Sequence, residues 1–315
     1  MHRFLASSLA LSVMLWGLLA WAPQARAQSP IKPKIMIIFD TSGSMLSSNN
    51  DGSPLCSNSG TGSRVYKLKT ALFETLQGIG ATEIDFALAT FPQHVDPTRS
   101  PVCPRGHYYT TSNQDSEDYS DSRSGCKIST HNPATQQNGN CGNASNPCSA
   151  WYSNYKKEVL KVGFGNAPEA VMIYFDQQED TNTTAPLQNP EIRSFSWTPL
   201  GKSLFYAHGY LHKEVALPAS SYLKKCERLV VALFTDGAES CNKSASAFYP
   251  TKWATKLHAA PLNAVVHTVA IDSTASLLSQ IPANGGGTYY NVNNSVNELK
   301  KAFLDIIAKS QPPSE

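Results

Sequence analysis

Residues Ile35-Met36-Ile37-Ile38-Phe39 run apolar without a break and end on Asp40-Thr41-Ser42-Gly43-Ser44. A strand with one wet face alternates apolar and polar residues. An unbroken apolar run fits a strand buried on both faces, as at the centre of a parallel sheet covered by helices. In open sheets of this kind, ligands collect beyond the carboxyl ends of the strands. The D-x-S-x-S run places one carboxylate (Asp40) and two hydroxyls (Ser42, Ser44) on such a loop, and Gly43 lets the loop turn sharply. These are hard oxygen donors, suited to Mg²⁺ rather than to a soft metal. Asp40 lies just past the strand, so its side chain is expected to add nothing to the core.

Two later segments extend the pattern. Arg228 to Phe234 is a second continuous apolar strand and runs into Thr235-Asp236-Gly237, while Thr198-Pro199 opens a helix with Leu200, Leu204, Ala207 and Leu211 on one face. Taken singly, each has an ordinary reading. Thr198 before Pro199 reads as a helix N-cap, Asp236-Gly237 as a turn, and Asp40, Ser42 and Ser44 as turn residues. Together they put five oxygen side chains at the ends of elements of one sheet, which points to a metal site.

With those three segments in that order, the chain resembles the von Willebrand factor A (vWA) family from about residue 33 to 307, whose metal-ion-dependent adhesion site is D-x-S-x-S, then a threonine, then an aspartate. The resemblance implies a doubly wound, Rossmann-like α/β fold and a Mg²⁺ site, with Mn²⁺ or Ca²⁺ as alternatives. By residue it implies that Ser42, Ser44 and Thr198 bind the metal directly, and that Asp40 and Asp236 act largely through water. It also implies that the open metal position takes an Asp or Glu carboxylate from a partner protein. An exported vWA domain with a cysteine-bearing insertion is similar to the N-terminal part of type IV pilus-tip adhesins.

Export is read from the N-terminus. Met1-His2-Arg3 precedes an apolar run from Phe4 to Trp21 and the small-x-small site Ala25-Arg26-Ala27, the order of a secretory signal peptide. The run approaches the roughly 18 residues of a spanning helix, so an uncleaved anchor is the alternative. Cleavage predicts a mature domain of residues 28–315 with no membrane span, secreted, periplasmic or surface-displayed. It removes two of the 26 Lys and Arg residues and no acid, leaving 24 basic against 24 acidic. A near-neutral chain without a basic stripe gives no support to nucleic-acid binding.

All seven cysteines (56, 103, 126, 141, 148, 226 and 241) follow the signal segment. In an oxidising compartment they read as disulfides, with Cys226 pairing Cys241 and further bridges pinning a polar insertion at about 93–156. The odd cysteine is left free or pairs with another chain. Acidic residues 115, 117, 118 and 121 fit no EF-hand register and read as a solvated loop. Elsewhere, Ser63 caps a helix carrying Val65, Leu68, Leu72 and Leu76, and Glu83–Phe91 is a strand. Residues 158–164 and 170–175 read as an edge hairpin around Gly165-Asn166-Ala167-Pro168. The rest alternates: a helix from Phe248 to His258, a strand from Ala264 to Ile271, a helix from Ala275, a strand ending at Val292, and a helix from Val296 to Lys309. Repeated strand–helix alternation predicts a mainly parallel sheet with helices on both faces.

Enzyme signatures fail one by one. Asp40-Thr41-Ser42 has serine where an aspartic protease needs glycine. No nucleophile elbow or phosphate loop occurs, and His208 and His212 lack the intervening glutamate of H-E-x-x-H. The sequence therefore favours a non-enzymatic adhesion or ligand-binding module. The alternatives are a secreted metal-dependent hydrolase, which would need a general base near the ion, and a structural module whose metal holds loops together.

Overall fold

The structure, a computed structural model, describes residues 32–46, 62–79, 83–91, 160–176, 192, 198–212, 228–240, 244 and 247–311. All belong to one unit, Lys32–Glu315. The predicted signal segment 1–27, the predicted insertion at 93–156 with its acidic residues, and all seven cysteines with the predicted Cys226–Cys241 pairing lie outside the described residues.

The elements are β1 (Lys34–Phe39), α1 (Arg64–Gln77), β2 (Asp85–Thr90), β3 (Leu160–Val162), α2 (Glu169–Met172), α3 (Leu200–Leu211), β4 (Leu229–Thr235), α4 (Pro250–His258), β5 (Val265–Ile271), α5 (Ser276–Asn284), β6 (Gly286–Val292) and α6 (Val296–Ser310). The sheet order is β3-β2-β1-β4-β5-β6. Every pairing is parallel except that of the short edge strand β3 with β2. This is the α/β, Rossmann-like, mainly parallel architecture that the sequence predicts.

The unbroken apolar run of β1 is explained by cover on both sides, and all six residues of the strand are buried. Successive side chains point to opposite faces. Ile35, Ile37 and Phe39 pack with Leu68 and Leu72 of α1 and Leu299 and Phe303 of α6. Met36 and Ile38 pack with Leu204 of α3, Leu257 of α4 and Leu278 of α5. Each fully buried side chain of this size stabilises the fold by roughly 1.5–3 kcal/mol, so the central strand is fixed by two cores at once.

Local signals account for the helix on either side. Ser63 does cap α1: its hydroxyl accepts the Tyr66 N–H at 3.2 Å. The predicted edge hairpin is only half present. Leu160–Val162 forms the antiparallel edge, but Glu169–Met172 is a short helix. Gly165 takes a left-handed turn (φ +84°) and Pro168 then starts a run of good helix formers,. That turn of helix drops Val171 and Phe175 into the core beside β1, a packing that a second edge strand would not give.

Chain reversal positions the site. From β1 the chain moves outward to β2, then returns to place β4 on the other side of β1. The carboxyl ends of β1 and β4 are therefore the point where the winding changes direction, and a crevice forms between their loops. The two ends are stitched together by the Asp40 N–H, which donates to the Phe234 carbonyl at 3.0 Å.

Candidate metal centre

Four of the five predicted side chains form one hydrogen-bonded chain across that crevice. The Ser42 and Ser44 hydroxyls are 3.0 Å apart, and the Ser44 hydroxyl donates to Asp236 Oδ1 at 2.6 Å. Asp40 anchors the row from beneath. Its Oδ1 accepts the Ser42 N–H at 2.6 Å, and its Oδ2 accepts the Thr235 hydroxyl at 2.6 Å and the Asp236 N–H at 3.4 Å. Gly43–Leu46 forms a single 3₁₀ turn, closed by the Met45 N–H on the Ser42 carbonyl, which presents Ser44 outward while Met45 plugs into the core.

Asp40 differs from expectation. It is completely buried (0% exposed) rather than a loop side chain clear of the core. Three donors converge on it, so its acceptor oxygens are structural. Burial, and next the charge of Asp236, push its pKa up to about 7,. Burial also raises the pKa of Asp236, against the pull of the Ser44 hydroxyl and the Arg64 guanidinium. The edge thus holds two carboxylates in a place where negative charge is poorly solvated.

Thr198 arrives by another route and is not the helix cap that the sequence suggests. Pro199 occupies the cap position of α3 and no side chain bonds there. Thr198 is instead held on the β4 loop: its N–H donates to the Ser240 hydroxyl at 2.7 Å, and its carbonyl accepts the Ser240 N–H at 3.0 Å. Its side chain lies against Gly237, where an added Cβ would come within 2.9 Å of the threonine hydroxyl oxygen. Gly237 therefore permits the close approach of the second loop to the third. Glu239 supplies what the absent cap does not, accepting the Gly201 N–H at 2.7 Å at the positive end of α3,. Helix α3 is itself pressed onto the neighbouring chain, since a Cβ at Gly201 would sit 1.4 Å from the Phe248 carbonyl oxygen.

Sequence reasoning missed Thr235, Arg64 and Asp272. Thr235 precedes Asp236 and could have been noticed as a polar residue ending an apolar strand. Arg64 Nη1 donates to Asp236 Oδ2 at 3.0 Å and to the Ser44 carbonyl at 3.2 Å, and Arg64 Nε to Asp272 Oδ2 at 3.5 Å. No local pattern announces an arginine that meets aspartates 172 and 208 residues away. The His208–His212 pair behaves as an ordinary helix face. The rings stack on each other at 5.6 Å, and His208 meets Trp253 edge-on at 5.3 Å.

The residues present fit a hard divalent cation. Hydroxyls of Ser42 and Ser44 and a carboxylate oxygen of Asp236 stand in one row, with Asp40 behind them. On the same loop the Thr41 hydroxyl is buried with no partner among the described residues. Also among the described residues, no group of three or more His, Cys, Asp or Glu side chains could hold a metal. The donor set here is of a different kind, mixed hydroxyl and carboxylate.

These features define a class, an α/β fold with a polar crevice at its winding reversal, and the known structures similar to it are vWA domains among others. Neither a protein-family model nor a curated protein matches the chain. Solved structures do. Proximal thread matrix protein 1 from the mussel byssus aligns over 89% of this chain and 47% of its own, with 13% identity and a TM-score of 0.44. A von Willebrand factor type A protein from Catenulispora acidiphila aligns over 89% of this chain and 43% of its own, with 14% identity and a TM-score of 0.42. The pilus adhesin SpaC from Lactobacillus rhamnosus GG aligns over 90% and 31%, with 12% identity and a TM-score of 0.43. The chain therefore spans less than half the length of each of these. Among the described residues, no helix is long and apolar enough to cross a membrane.

Proposed function

We propose that this chain is an exported, non-enzymatic binding module that grips a carboxylate of a partner protein through a Mg²⁺ ion. The supporting observation is the hydrogen-bonded row Ser42–Ser44–Asp236, backed by Asp40, at the winding reversal of the sheet. Ser42, Ser44 and Thr198 are direct ligands in this reading, and Asp40 and Asp236 hold water or enter the coordination shell. Bound there, Mg²⁺ supplies an electrophilic centre for an incoming Asp or Glu. The protein's part is positioning. Asp40 fixes the loop through the Ser42 N–H, and Thr235 and the Asp236 N–H fix Asp40. Ser44 is the exposed member of the row and faces an arriving ligand. In the same reading residues 1–27 are a cleaved signal peptide, and 93–156 is a disulfide-pinned insertion on the binding domain.

Isothermal calorimetry with Mg²⁺ on the purified domain, with Ser42→Ala as comparison, tests the site. Capture of surface proteins in Mg²⁺ and again in EDTA tests the function. Saturable Mg²⁺ uptake weakened by Ser42→Ala, together with EDTA-sensitive capture, is the expected result. Capture that is equal in EDTA would overturn the adhesion mechanism and favour a structural module.

A further inference from the structure

Arg64 stands out as a cation placed where the backbone does not favour one. It is the first residue of α1, a helix with no acidic residue in its first turn. The N-terminal end of a helix favours anions and opposes a guanidinium. The compensation comes from two other strand ends: Asp236 after β4 at 3.0 Å and Asp272 after β5 at 3.5 Å. Asp272 in turn adopts a left-handed backbone (φ +49°), uncommon without glycine, while its other oxygen accepts the Asn294 N–H at 3.0 Å,. Two local preferences are thus overridden at one node, and that node touches the candidate site.

The occupancy of Asp236 is the key fact. Its Oδ1 is taken by the Ser44 hydroxyl and its Oδ2 by Arg64, and its side chain is fully shielded from solvent. A divalent ion drawing on Asp236 competes with the guanidinium for the same charge. The Arg64 side chain is only 17% exposed, so this contact is screened far less than a surface pair.

We propose that Arg64 is a built-in counter-cation of the site, a positioning residue that holds Asp236 against a divalent ion and so sets the concentration at which the site loads. The inference rests on the metal-site reading above. It explains how two carboxylates can share a poorly solvated edge, and why the start of α1 is tied to it. Removing the guanidinium leaves Asp236 and Asp272 without their counter-charge, which weakens the fold but strengthens the pull on a metal ion.

The test uses the full domain with Mn²⁺ as the probe, followed by calorimetry and by thermal melting in EDTA and in saturating Mn²⁺. Arg64→Gln is expected to melt lower than wild type in EDTA, to bind Mn²⁺ roughly tenfold tighter because an opposing unit charge is gone, and to recover most of the lost melting temperature in Mn²⁺. Arg64→Lys keeps the charge but cannot span both aspartates, so it should bind between the two. A purely structural arginine would lower both melting curves equally and leave Mn²⁺ affinity unchanged or weaker, and that result overturns the proposal. Should Arg64→Gln fail to fold, Arg64→Lys decides: affinity no tighter than wild type rejects the idea. If wild type and both variants bind no Mn²⁺, the metal-site reading itself fails and the proposal goes with it.

Discussion

The β1–β4 edge and the β5–β6 side of the same sheet handle charge in opposite ways. At β6, Tyr290 donates its hydroxyl to Asp305 at 2.7 Å, and Lys309 pairs with Asp305 at 2.8 Å one helical turn away on α6. The Lys309 bond holds the Asp305 carboxyl below its ordinary range, and the Asp305 bond holds the Lys309 ammonium above its own. Each charge there improves the other. At β1–β4 the two carboxylates are raised instead, Asp40 to about 7. One region has arranged its charges for the fold. The other holds two poorly solvated carboxylates whose raised values are the kind of perturbation that clusters at functional sites,.

The sharpest way to break that contrast is Asp40→Asn. The amide keeps an acceptor for the Ser42 N–H and Thr235 can rotate its hydroxyl, so the packing survives, whereas alanine would leave three donors unpaired in a buried place. We expect Mg²⁺ affinity to fall at least about a hundredfold by calorimetry, since so few charged ligands hold an ion that dehydrates reluctantly. Thermal stability at pH 8 should stay equal or rise, because the ionised carboxylate is disfavoured where it sits. A folded variant with wild-type Mg²⁺ binding would remove Asp40 from the site.

Acid titration separates the two regions next. Burial first and Lys309 second push His267 down to about 4, while burial, His212 and Lys256 do the same to His208, which packs on Trp253. Both native values lie below the unfolded 6.5, so the unfolded chain binds more protons between pH 6.5 and 4. Stability from these histidines is intact above 6.5 and is lost as pH falls through that window, by up to roughly 3 kcal/mol for His267 and less for the partly exposed His208. Asp40 runs the other way: its raised value favours the fold below 3.8 and loses that advantage as pH rises toward about 7. Denaturant melts at pH 4.5 and 7.5 should therefore show a steeper acid loss in Asp40→Asn and a shallower one in His267→Gln.

Thr198→Ala is a smaller and more local change. Because Pro199 rather than Thr198 occupies the cap position of α3, the usual capping loss of about 1 kcal/mol should be missing,. The Ser240 bonds use the backbone of residue 198 and remain. Mg²⁺ affinity should drop about tenfold, or about 1.4 kcal/mol, with the melting temperature nearly unchanged. A large loss of stability with intact affinity would make Thr198 a scaffold residue only.

How much of this was legible beforehand divides along physical lines. The unbroken run 35–39 and the similar run 229–234 give the central strands because burial on both faces demands it, and Ser63 marks its helix because capping is local. The hairpin at 158–175 misled because three strand residues and one helical turn share the same apolar-rich composition. Tertiary packing of Val171 and Phe175 made the choice. Thr198-Pro199 misled for the same reason: a contact with the β4 loop 42 residues on outweighed the local cap signal. The site followed a split as well. Asp40, Ser42, Ser44 and Asp236 were readable as short motifs at strand ends, whereas the full burial of Asp40 and the reach of Arg64 to Asp236 and Asp272 depend on which loops the winding brings together.

The mildest test is Lys309→Ala, a control on the well-paired region. The lysine and Asp305 are spaced i, i+4 on α6 and both are nearly half exposed, so the pair should contribute only about 0.3–0.5 kcal/mol. Lys309 also donates to the Tyr290 hydroxyl at 3.2 Å and to the Thr288 hydroxyl at 3.3 Å, on the strand beside His267. Losing its positive charge removes the second cause of the low His267 pKa while leaving burial, the first. The histidine should therefore titrate at a somewhat higher pH, followed by NMR of its ring protons, and the acid loss of stability should still begin near 6.5 but end at a higher pH and reach a smaller depth,. Mg²⁺ affinity should not move, because Lys309 belongs to the other region. A change in metal binding on this substitution would mean that the two regions are electrostatically one, and the division between a paired side and an edge of poorly solvated carboxylates would have to be given up.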